Sequence, residues 1–129
     1  MIAVDTNVVV RLLVQDHELQ YKQARKVFQK ENLFVPDTVL LETEWVLRYA
    51  YKYSGEMIHQ GLIRLLGLPN VSVTDAVKIH NALEWHKDGL DFGDALHLAE
   101  SGHCDRLITF DKKFISKSRN LSTCSVASP

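Results

Sequence analysis

The sequence predicts an α/β fold: an α/β/α sandwich around a mostly parallel sheet of four to five strands. Three observations carry this expectation. Short apolar runs at Ile2-Ala3-Val4, Leu33-Phe34-Val35, Val71-Ser72-Val73 and Leu107-Ile108-Thr109-Phe110 have the length and character of buried strands. Longer stretches with helical periodicity separate them. Strands that alternate with helices need crossover connections, which favour parallel pairing with helices on both faces.

Taken in order, Ile2 to Val4 ends at Asp5-Thr6-Asn7, after which Val8 to Val14 resumes as apolar residues around Arg11, a strand feeding a helix. From Glu18 to Lys30, Leu19, Ala24, Val27 and Phe28 recur at near-helical spacing, predicting an amphipathic helix. Pro36-Asp37 closes the second strand. Thr38 to Tyr53 lacks Gly and Pro and reads as one helix, and Glu56 to Leu66 as another, although Gly61 weakens its interior. After the third strand come a helix over Asp75 to Lys87, ending near Asp88-Gly89, and one over Asp91 to Ser101 with Gly102 as C-cap candidate. Asp111 opens a turn or short helix after the fourth strand. Leu121 to Val126 is expected to add a last, edge strand.

The 129 residues, 46% of them hydrophobic, suit one domain spanning 1–129 with one core. A net charge of −1 and a pI near 6.6 exclude a general electrostatic nucleic-acid binder, so any RNA contact must be local. Cys104 and Cys124 have no ligand or disulfide spacing and are expected as reduced thiols. With no basic n-region before Ile2 and no apolar run near ~18 residues, the chain is expected to be soluble and cytoplasmic, without a membrane partner.

The chemistry is carried by carboxylates. Asp5 and Asp111 each follow a strand-like run, and ligands of open parallel sheets collect beyond the carboxyl ends of the strands. Each is equally suited to cap the helix that follows it. On a helical wheel Glu42 lies among Val39, Trp45, Val46 and Tyr49, which predicts a buried carboxylate needing a partner or a metal. Glu44 faces elsewhere, with Arg48 one turn on for a surface ion pair worth about 0.3 kcal/mol. Asp91 and Asp94 are spaced as N-cap and N3 of their helix. Asp94 shares a face with Asp91, His97, Leu98 and Ser101, opposite the apolar Phe92, Ala95, Leu96 and Ala99.

Gathered carboxylates repel one another unless a cation neutralises them. Mg²⁺ or Mn²⁺ prefers such oxygen ligands and supports phosphodiester hydrolysis, so Asp5, Glu42, Asp94 and Asp111 form a sufficient donor set for a metal nuclease.

The strings "VDTNVVVRLL" (4–13), "VLLETEWVLR" (39–48), "DFGDALHLAE" (91–100) and "ITFDKKF" (108–114) together resemble the PIN domain, and in particular the VapC toxins of bacterial toxin–antitoxin pairs. The resemblance runs in order over almost the whole chain. It implies a PIN-like fold and a Mg²⁺- or Mn²⁺-dependent endoribonuclease with Asp5, Glu42, Asp94 and Asp111 at the family's acidic positions. Thr6, Asn7 and Thr109 then fall at polar positions that orient those carboxylates or bind metal-bound water, with Asp91 an auxiliary that varies among relatives. It further implies a homodimer that cuts transfer or ribosomal RNA. Its partner would be a small VapB-like antitoxin, through which alone it would meet DNA.

Arg11, Lys112, Lys113 and Lys117 flank the acidic positions and are expected to contact RNA phosphates. Trp45, Tyr49, Tyr53 and Trp85 are expected in the core or on a dimer face. The six histidines show no metal-ligand spacing, and neither G-x-x-x-x-G-K-[ST] nor G-x-G-x-x-G occurs. The alternative function is a Mg²⁺-binding phosphoacceptor signalling domain without nuclease activity. Against it, no acidic residue precedes Asp5, and no isolated Asp follows the third strand. A haloacid-dehalogenase-like phosphatase would want an Asp where Asn7 stands.

Overall fold

The computed structural model describes residues 1–129, which divide into two compact units, 1–74 and 75–129. Helices and short parallel strands alternate, as an α/β fold requires.

In the amino-terminal unit, β1 (Ile2–Ala3), β2 (Leu33–Phe34) and β3 (Val71–Ser72) form a parallel sheet in that order. Ile2 pairs with Leu33 and Leu33 with Val71. Backbone bonds from Val4 N to the Phe34 carbonyl and from Val35 N to the Ser72 carbonyl carry the ladder one residue further. Leu33 and Val35 in the central strand are fully buried. Removing a side chain of this kind from water contributes about 1.5–3 kcal/mol.

Four helices accompany this sheet: α1 (Thr6–Val14), α2 (Glu18–Lys30), α3 (Asp37–Tyr49) and α4 (Gly55–Leu66). In α2 the burial falls on Ala24 and Phe28, whereas Leu19, expected on the inner face, is exposed because it lies in the first turn, beyond the packed part of the helix. The helix expected to reach Tyr53 stops at Tyr49. Lys52 takes a left-handed φ of 56°, and Tyr53 N bonds back to the Leu47 carbonyl. Gly61 does not interrupt α4, since a Cβ there would meet only the Leu13 side chain at ordinary contact distance.

The carboxy-terminal unit contains α5 (Ala76–Lys87), α6 (Phe92–Glu100), β4 (Arg106–Ile108), α7 (Lys112–Lys117) and β5 (Ser125–Ala127). The helices α5 and α6 pack on each other, and β4 pairs in parallel with β5, Arg106 opposite Ser125. The five strands thus form a three-stranded and a two-stranded sheet, where one sheet of four to five was expected. Gly89 ends the turn after α5 at φ +109°, a conformation that a side chain strains. Ser101, not the expected Gly102, is the C-cap of α6, with φ −96°. Phe110, read from sequence as part of a buried strand, is exposed, because the β4–β5 ladder ends with Thr109 N on the Ala127 carbonyl.

Candidate metal-binding active site

Asp5 stands where β1 turns into α1. Its extended backbone (φ −89°, ψ 166°) makes it the N-cap, and its Oδ1 accepts the Thr6 N–H at 2.7 Å. Capping and availability are compatible, because Oδ2 takes no part in this bond. Thr6 is buried and its Oγ1 has no hydrogen-bond partner. An orphaned buried hydroxyl costs about 1–3 kcal/mol, so it suits a position where another oxygen ligand or water completes its bonding. Asn7, the next residue, is exposed.

The α3 carboxylates reverse the sequence expectation. Glu44, not Glu42, is buried: it is 1% exposed and accepts both Arg48 Nε and Nη2 at 2.9 Å. Glu42 is exposed, as are Leu41, Trp45 and Tyr49. A helical wheel centred on Trp45 and Tyr49 predicts the wrong inner face; the actual one runs through Leu40, Thr43, Glu44 and Leu47. Those two aromatic rings meet at a tilt of 47° outside, with centroids 5.0 Å apart, and the Arg48 guanidinium lies 4.6 Å from the Tyr49 ring centre. So Arg48 satisfies the buried Glu44, and Glu42 is the accessible carboxylate of α3. The i,i+4 spacing of Glu44 and Arg48 is the sequence signal for this lock, but the pair is buried on the Glu44 side rather than on the surface as expected.

In the carboxy-terminal unit, Asp91 caps α6 by accepting the Asp94 N–H at 3.1 Å, the spacing expected. Asp94 is half-buried, and its carboxyl is held above the usual carboxylate range by burial first, then by the charges of Asp91 and Asp111; His97 acts in the opposite sense. Leu98, expected on the Asp94 face, is fully buried instead, with Phe92, Ala95, Leu96 and Ala99. Asp111 caps α7, its Oδ1 accepting Lys113 N at 2.9 Å and Phe114 N at 3.1 Å. Thr109 Oγ1 accepts the Asp111 N–H at 3.0 Å and so fixes the backbone that presents this carboxylate.

Of the expected RNA-binding cations, Lys112 and Lys113 are exposed at the start of α7. Lys117 instead donates to the Gly89 carbonyl at 3.0 Å. Arg11 is committed as well, with Nε on Gln20 Oε1 at 2.6 Å and Nη1 on Asp16 Oδ1 at 3.0 Å and on the Tyr51 hydroxyl at 3.1 Å. Asp16 balances its charge, which removes it from the set of free phosphate contacts.

Within neither unit do three His, Cys, Asp or Glu side chains gather into a ligand set. The residues nevertheless suit a hard divalent cation: the candidate donors are carboxylate oxygens, Thr6 Oγ1 is orphaned beside Asp5, and burial together with the charges of Asp91 and Asp111 raises Asp94. Both cysteines are free, and no helix is long and apolar enough to cross a membrane. No curated protein matches the chain. Residues 2–120, which include Asp5, Glu42, Asp94 and Asp111, match the PIN domain, so the chain belongs to the PIN-domain family, whose members are generally metal-dependent nucleases.

Proposed function

We propose that this chain is a Mg²⁺- or Mn²⁺-dependent endoribonuclease acting as the toxin of a toxin–antitoxin pair, with Asp5, Glu42, Asp94 and Asp111 holding the metal. The observation that carries the reading is the electrostatic state of Asp94, whose carboxylate is disfavoured by burial and by two neighbouring aspartates and is relieved by a cation. When bound, the metal activates water and stabilises the leaving oxygen of a phosphodiester. The protein's own contribution is orientation. Asp5 and Asp111 are each pinned through Oδ1 by a helix amide, Asp91 anchors the first turn that presents Asp94, and Thr109 holds the backbone of Asp111. Lys112 and Lys113, beside Asp111, supply local positive charge for the RNA backbone.

The toxin role rests on the resemblance of the four strings to VapC toxins. The exposed stripe Leu41, Trp45, Tyr49 supports an apolar contact with a second copy of the chain, since aromatic residues are enriched in such contacts. A VapB-like inhibitor would place an Arg or Lys against the carboxylates and lay a helix or tail along α1 and α3. The test is incubation of purified protein with total RNA in Mn²⁺, Mg²⁺ or EDTA, together with induction in cells. Metal-dependent cleavage and growth arrest, both abolished by Asp5→Asn, are expected. Cleavage that persists in EDTA would refute the mechanism, and cleavage without arrest would refute the toxin role.

A further inference from the structure

Phe110 is 86% exposed, the most exposed of the large apolar side chains, and it stands directly before Asp111 in the turn between β4 and α7. A single apolar residue in solvent needs no explanation by itself. This one, however, is held there. Thr109 N donates to the Ala127 carbonyl at 2.9 Å, Thr109 Oγ1 accepts the Asp111 N–H at 3.0 Å, and Asp111 Oδ1 accepts the amides of Lys113 and Phe114. The backbone is thus pinned on both sides of Phe110. We propose that Phe110 is a stacking platform for an unpaired base of the RNA strand, beside the phosphate that is held at Asp111, an inference that rests on the ribonuclease reading.

The surroundings select a nucleic acid over a polypeptide. Phe110 is followed by Asp111, Lys112 and Lys113, all exposed, and charged residues are depleted from the core of protein interfaces. An aromatic face next to cations is instead the combination that binds single strands, the cations following the phosphates while a base lies on the ring. The charge of Asp111 is felt at Asp94, so the ring stands at the acidic edge of the carboxy-terminal unit, where the metal and the reacting phosphate are expected. Because the turn is fixed before RNA arrives, little ordering of the backbone is needed on binding. Bases splayed out of loops and single-stranded segments are the ones that aromatic side chains capture. Every base has such a face, so the platform selects unpaired RNA without selecting its sequence.

The experiment uses the full chain carrying Asp94→Asn, so that RNA is bound without being cut, in Mg²⁺, with Phe110 native or changed by Phe110→Ala, Phe110→Leu or Phe110→Trp. Fluorescence anisotropy reads the binding of labelled oligouridylate, oligoadenylate and an abasic oligomer of the same length. Phe110→Ala should weaken both base-carrying oligomers about tenfold, within the range lost with one base–aromatic stack. Phe110→Leu keeps apolar area but has no aromatic face, so it should lose most of the same affinity, whereas Phe110→Trp should bind at least as tightly as the native ring. The abasic oligomer, which has phosphates but nothing to stack, should not distinguish the four chains. The slope of affinity against salt reports phosphate contacts and should be common to all four. A slope that flattens with Phe110→Ala would mean that the turn and its lysines had moved, and overturns the proposal. Equal affinity of the four chains for oligouridylate, or no binding by any, overturns it as well. Native affinity of Phe110→Leu beside a weakened Phe110→Ala also overturns it, since a general apolar contact of the kind a protein partner makes would give that pattern. Cleavage of total RNA in Mn²⁺ by the unsubstituted chain reports separately on the ribonuclease reading. Cutting with no effect of Phe110 on binding refutes the platform alone, and binding through Phe110 with no cutting refutes the ribonuclease alone.

Discussion

Exchanging Glu44 for Gln tests the helix phase on which the assignment of α3 depends. In the native chain both carboxylate oxygens of this 1%-exposed side chain accept guanidinium N–H groups at 2.9 Å. The amide keeps the shape but has one acceptor, and it turns an NH₂ group toward Arg48. Hydrogen bonds to charged groups contribute about 1.5–3 kcal/mol. Arg48 remains 37% exposed, so solvent compensates part of the loss and about 2 kcal/mol is expected. For a chain of this size that lowers the melting temperature by about 5–10 °C. Glu42→Gln, on the exposed side of the same helix, should leave stability within about 0.5 kcal/mol and reduce RNA cleavage by orders of magnitude. Thermal melts and cleavage assays of both variants, side by side, check this. A Glu44→Gln protein that melts like the native chain yet no longer cuts would refute the reasoning, since Glu44 would then be the ligand and Glu42 the bystander.

Asp5→Asn should abolish cleavage without unfolding the chain, because Asn caps α1 as well as Asp does; a melt lowered by more than a few degrees would show the carboxylate to be structural. Asp94→Asn should raise metal-free stability at neutral pH. The native carboxyl titrates above its usual value of 3.8, so ionising it costs more in the folded than in the unfolded state. The difference between the two proteins should be absent below that value and grow as pH rises from it through the folded-state pKa; denaturant titrations at several pH values that show no such divergence would contradict the burial and repulsion argument. Mg²⁺ or Mn²⁺ should restore activity removed by EDTA, and Ca²⁺ should restore little, because its looser coordination does not enforce in-line geometry. Equal rescue by Ca²⁺ would argue against a hydrolytic role for the metal. Trp45→Glu should leave folding intact and reduce self-association measured by sedimentation, and an unchanged sedimentation profile would remove the exposed α3 stripe from the proposed contact.

The sequence by itself determined the class of fold and the order of its elements, because strand-length apolar runs, helical periodicity and caps act over a few neighbouring residues. Asp91 and Asp94 fell at N-cap and N3 as their spacing required, and Asp5 and Asp111 capped the helices after their strands. Tertiary structure alone decided which face of α3 turns inward. Hydrophobicity favoured Trp45 and Tyr49, but a helix buries the face that fits its neighbours, and Arg48 made it possible to bury Glu44 there while the aromatic rings stayed outside. It also decided that Arg11 is held by Asp16, Gln20 and Tyr51, the last of them forty residues away in the chain. Spacing can nominate a charged side chain for a role; whether that charge is available depends on partners that only the folded chain brings to it.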